Sequence, residues 1–85
     1  MARYFFHLRD HSERLLDPEG RVVENVEDIP AIALGEARAI LSHEVLTGVV
    51  DLRARIEVED GIGNVVHRLN FVDAVRVIQA EMDRD

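Results

Sequence analysis

The stretch RYFFHLRD, residues 3–10, gathers three of the chain's four aromatic side chains and follows them with a histidine. It reads either as a ligand-contacting surface or as the first strand of a small core. Strand side chains alternate with period two. Tyr4, Phe6 and Leu8 then share one face, while Arg3, Phe5, His7 and Arg9 share the other. One apolar face and one mixed face are the pattern of a strand buried on one side. That reading makes residues 3–9 a strand and leaves Phe5 outside the core.

The next segments follow from local chemistry. DHSER (10–14) is a turn, and LLDPEGRVV (15–23) is expected to be a hairpin, with Pro18 presetting φ at the second turn position and Gly20 at the fourth. In EDIPAIALGEARAILSHEVLTG (27–48) the periodicity predicts a helix, with Asp28 as N-cap, Pro30 in the first turn and Gly48 just past the end. LRARIEVED (52–60) alternates apolar Leu52, Ala54, Ile56 and Val58 with charged residues, as a half-buried strand does. DGIGN (60–64) is a hairpin loop and VVHRLNF (65–71) the returning strand. NFVDAVRVIQAEM (70–82) is expected to close the chain as a helix, with Asn70 as cap and Ala74, Val75, Ile78 and Met82 on one side. The order is β-β-β-α-β-β-α: an antiparallel sheet of four to five strands with two helices, in the α+β class.

Eighty-five residues form one domain, residues 1–85, with room for a single core. Seventeen acids against ten bases give a net charge of −7, and no basic run interrupts it, so no nucleic-acid partner is expected. No stretch has the length of a membrane span or the apolar run of a signal peptide, so no membrane partner and a cytoplasmic location are expected. The chain has no cysteine, which excludes disulfides and thiolate chemistry. All ten bases are arginine, so lysine-based phosphate loops and Schiff bases are excluded too.

The opening RYFFHLRD, the DPEG turn (17–20), the EAR-containing helix (36–38), the EDGIGN hairpin (59–64) and the closing NFVDAV (70–75) together resemble a bacterial family of short proteins known only as a domain of unknown function. The resemblance runs nearly end to end. Members usually carry glycine where this chain has His11. The family implies no activity, cofactor or catalytic residue. An aromatic opening strand, two further strands and an EA-containing helix also look like the partial fold of HicB-type antitoxins, which neutralise a small toxin. The extra hairpin, the second helix and the lack of a DNA-binding tail depart from that pattern.

His7, Asp10 and His11 are the tightest cluster of potential metal ligands, but a strand running into a turn does not converge their donor atoms. The expected reading is a solvated strand end, with no metal and no cofactor. His67 shares parity with Val65 and Leu69 and is expected to be structural, and His43 lies on the polar side of the helix. Ser12 beside His11 and Ser42 beside His43 are neighbours in sequence, which does not make a nucleophile–base pair. DGIGN lacks calcium-loop ligands, and GIG has no strand-to-helix context for a dinucleotide. No enzyme is expected.

The apolar residues without a home say more. Ala33, Leu34, Ala37, Ile40, Leu41 and Val45 form the stripe that should cover the sheet, while Ile32, Ala39 and Leu46 form a second stripe. With Phe5 they are the expected interface of a homodimer. The sequence thus points to a self-associating protein-interaction module, with an antitoxin-like partner of a small toxin, or a small-ligand or metal-binding domain, as alternatives.

Overall fold

The aromatic opening segment lies inside the sheet, paired on both sides. In the computed structural model, which describes residues 2–10 and 14–81, Ala2–Arg9 forms strand β1. Along one edge it pairs antiparallel with β2 (Arg14–Leu15) and β3 (Arg21–Val23). Along the other it pairs with β4 (Arg55–Glu59), and β4 pairs in turn with β5 (Val65–Asn70). The five-stranded antiparallel sheet therefore has four strand positions, since β2 and β3 share one edge of β1.

That shared edge corrects the expected hairpin at LLDPEGRVV. β2 and β3 do not pair with each other; both pair with β1, as two parts of one strand interrupted by a bulge. Leu8 faces Leu15 and Tyr4 faces Arg21, so the three β1 residues 5–7 oppose the five residues 16–20. In place of the tight turn foreseen at DPEG the chain bends at Pro18 and Glu19, which folds the excess chain into the bulge and does not reverse the strand.

A 3₁₀ turn (Val26–Asp28) leads into the helix α1 (Ile29–Thr47). Asp28 occupies the N-cap position, yet its side chain makes no capping bond, because its backbone is already helical as part of the turn. Gly48 ends α1 in the left-handed region (φ 92°), where its N–H reaches the carbonyls of Glu44 and Val45. The buried line Ile29, Ala33, Ala37, Leu41 steps by four residues down one side, and its two alanines let the helix lie close to the sheet. Against it pack Val23, Ala54, Ile56, Val58, Phe71 and Ala74, with Tyr4, Phe6, Leu8 and Leu69 half-buried around them. The alternation of β1 and β4 is thus realised: Phe6 faces Val58 and Leu8 faces Ile56 across the ladder.

The second helix does not form. After β5 a single 3₁₀ turn, Phe71–Asp73, is followed by residues 75–81 without regular structure, so the order is β-β-β-α-β-β. Phe71 is fully buried and its N–H bonds the Ala54 carbonyl at 2.9 Å, which extends the sheet by one rung. The Ala74 carbonyl, which a helix would give to the N–H of residue 78, instead accepts from Arg38 Nε at 2.8 Å. Val72, Val75, Val77 and Ile78 are β-branched, and such residues restrict poorly to helical rotamers. The proposed Asn70 cap makes no capping bond, and Met82 lies outside the described residues.

One helix cannot cover this sheet. Four strand positions at about 4.8 Å spacing span roughly 19 Å, whereas a helix with its side chains is about 10 Å wide. Leu41→Ala, at a residue 4% exposed, should cost about 2–5 kcal/mol in urea unfolding. Val45→Ala, at a site 62% exposed on the same helix, should stay within about 0.5 kcal/mol. Equal losses at the two sites would contradict the helix phase.

Candidate interaction surface

The bulge between β2 and β3 is closed by one carboxylate. An interrupted neighbour leaves β1 without a carbonyl for the Phe6 N–H, and Asp17 Oδ2 accepts it at 3.2 Å. Asp17 Oδ1 accepts the N–H groups of Gly20 at 3.0 Å and Glu19 at 3.3 Å. The Asp17 N–H donates to His7 Nδ1 at 3.0 Å. Gly20 is required where it stands: φ is +68°, and a Cβ would lie 2.8 Å from the Tyr4 carbonyl and 2.9 Å from the Phe5 ring. Burial would raise the Asp17 pKa, but the three backbone N–H donors and the nearby His7 outweigh it and hold the carboxyl below its ordinary value of 3.8.

The outer face of the sheet is an ionic net centred on Glu57, which is 6% exposed although no second layer of the described residues covers it. Arg9, Arg55 and Arg68 all pair with its carboxylate, with Arg55 Nε at 3.1 Å and Arg68 Nε at 2.9 Å. Burial works against the Glu57 charge, yet hydrogen bonds from Arg68 and Arg55 and the charge of Arg9 keep its pKa below normal. Glu59 takes Arg9 Nη2 at 3.4 Å and faces His7 Nε2 at 3.5 Å. The guanidinium heads of three arginines thus share the two carboxylates of Glu57 and Glu59.

This arrangement places the sequence-derived candidates. His7 is buried, and with Nδ1 accepting a backbone N–H its proton sits on Nε2. Its Nδ1 is taken by the Asp17 N–H and its Nε2 faces Glu59, and His11 lies outside the described residues. Among the described residues no group of three or more His, Asp or Glu side chains is placed to hold a metal. Phe5 is half-buried, stacked on the His7 ring with centroids 6.3 Å apart. Ile32 is half-buried against the core, whereas Ala39 is exposed and Leu46 is 83% exposed. His67 is half-buried opposite Val58.

The uncovered part of the inner face is a groove of about 550 Å³ between α1 and the bulge. Its floor is Phe6, Leu8 and Ile56, and its walls include Ile40 of α1 and Leu15 and Leu16 of the bulged edge. Arg21 spans the mouth: its guanidinium lies 5.3 Å over the Phe6 ring and pairs with Glu36 on α1. Asp17, Glu19 and Glu36 make the rest of the rim acidic. Leu15 and Leu16 are 67% and 51% exposed. Sequence reasoning missed this groove, although the pair Leu15–Leu16 held a signal. Adjacent residues of a strand point to opposite faces, so two neighbouring leucines cannot both enter one core.

Comparison with known proteins gives a family and nothing further. A family model described as a domain of unknown function (DUF6894) matches residues 3–72. No curated protein and no solved structure matches. No helix among the described residues is long and apolar enough to cross a membrane.

Asp17→Asn should destabilise the fold at pH 7 by about 1–3 kcal/mol, because the amide puts a donor against N–H groups that need an acceptor. The pH dependence has a definite sign. The folded pKa lies below 3.8, so an unfolding chain takes up the proton first. The stabilisation is complete above the unfolded value and is lost as pH falls through the folded one. Urea unfolding from pH 7 to pH 2 should therefore show the wild-type advantage over Asp17→Asn shrinking only below about pH 4. Calorimetric titration with zinc should show no stoichiometric micromolar site, since His7 is committed to Asp17.

Proposed function

The chain belongs to the DUF6894 family of unknown function, and we propose that it acts without catalysis, as a self-associating protein-interaction module. The observation that carries this reading is the groove beside α1. A floor of Phe6, Leu8 and Ile56 belongs to the core, and one helix is too narrow to close over it. A second copy offers the nearest supply of matching apolar surface, and two-fold pairing brings identical patches together without another gene product. Further exposed apolar residues, Val45, Leu46, Val49 and Val50 among them, flank the end of α1. The net charge of −7 does not oppose contact strongly, because exposed charges are screened beyond about 8–10 Å at ordinary salt.

The chemistry of the polar groups supports the non-enzymatic part. Glu57 is occupied by three arginines, Asp17 by three backbone amides, and His7 by the Asp17 amide. Asp17 lies on the rim of the groove, but its carboxylate oxygens are spent on backbone amides.

Light scattering should give a mass near twice the 9.6 kDa of the monomer at micromolar concentrations. Leu16→Glu, a change at an exposed site, should return the mass to the monomer value while leaving the fold intact by circular dichroism. A wild-type mass of 9.6 kDa up to high micromolar concentration would refute the proposal. Dissociation by Leu46→Glu but not by Leu16→Glu would move the interface to the outer stripe of α1.

A further inference from the structure

We infer that the groove between α1 and the bulge is filled by the C-terminal arm, residues 75–81, of a second copy of this chain. The inference rests on the self-association reading and names the contact that produces it.

The arm leaves the body of the protein. The radius of gyration is 15.1 Å, against about 12 Å for a compact chain of 85 residues, and the longest axis is 59 Å against 26 and 19 Å for the others. After Ala74, Val75 still touches the core, but Val77 is 58% and Ile78 76% exposed. Seven extended residues span about 23 Å, which carries Val77 and Ile78 away from the core that Val75 still touches.

The arm starts on the wrong side to fill its own groove. Its root is held where Arg38 Nε bonds the Ala74 carbonyl. The groove is lined from α1 by Glu36 and Ile40. Residues 36 and 40 lie one turn apart, while residue 38 is about 200° of helical rotation from each. Root and groove therefore occupy opposite flanks of α1. Reaching its own groove would require the chain to pass around the helix, whereas reaching the groove of a neighbour requires only that it continue outward.

The two surfaces also match chemically. The floor is apolar, and the rim sets Asp17, Glu19 and Glu36 against the single cation Arg21. The arm carries apolar Val75, Val77 and Ile78 to match that floor, with Arg76 among them as the group that can face the acidic rim and Glu81 at its far end. Each chain supplies one arm and one groove, so the exchange closes as a two-fold dimer and leaves neither site empty.

The absence of native cysteine makes the test direct. Full-length chains carrying Ile78→Cys are mixed with chains carrying Leu16→Cys and oxidised. A disulfide-linked product containing one of each is expected, while Ile78→Cys mixed with Leu46→Cys should give little. In parallel, the double variant Val77→Asp, Ile78→Asp should raise the dimer dissociation constant at least about tenfold, by carrying carboxylates into a desolvated contact. A wild-type dimer that survives this double variant and forms no Ile78–Leu16 cross-link would overturn arm exchange while leaving self-association standing. A wild type that is monomeric at high micromolar concentration would overturn both.

Discussion

A sheet about twice as wide as the helix that covers it is the constraint from which the rest of this structure follows. The inner faces of β1 and β4 are apolar and need burial, as does Leu69 of β5, but the described residues supply only one helix. Ile29, Ala33, Ala37 and Leu41 close over part of that face, and the alanines let the helix approach closely there. The close approach fills the core well and narrows the coverage further. What remains open is continuous with the core, so the groove is built from residues that the fold itself requires. A surface of that kind cannot be made polar without weakening the body of the protein.

The opposite face solves its exposure differently. There no element among the described residues covers the sheet, yet Glu57 and His7 are buried beneath their own neighbours. Three arginines converge on Glu57, and Glu59 links Arg9 to His7. Charge-rich strands that neutralise one another give a face that is covered without being apolar, and that offers little to another sheet. The Asp17 clamp connects this face to the groove. Its backbone N–H holds His7 on the outer side, while its carboxylate shapes the bulge that walls the groove on the inner side. The two faces thus depend on one residue.

Placing the apolar opening in the inner face and the ionic net on the outer face also fixes how the polar groups are paired. In three dimensions the central groups of the net are already paired, with hydrogen bonds and opposite charges holding Glu57 and Asp17 below their usual pKa values despite burial. Their role is to let a thin, two-layer protein keep polar groups at its centre.

The sequence by itself determined the elements whose signal is local. The period-two alternation of residues 3–9 and 52–60, the cap glycine at Gly48, and the turn residues of DGIGN each act within a few residues; the first strand, helix and hairpin formed where they pointed, while the strand of 52–60 begins only at Arg55, after a turn at Leu52 and Arg53. Tyr4, Phe6, Leu8, Leu41, Ile56 and Val58 do share one core. Tertiary structure decided what depends on a competing partner. DPEG became a bulge because β1 was available to both β2 and β3 and Asp17 could replace the missing rung. The closing segment lost its helical pattern because Ala54 and Arg38 took the Phe71 N–H and the Ala74 carbonyl. No periodicity reports which backbone group a distant residue will occupy, and that occupancy left the inner face half covered.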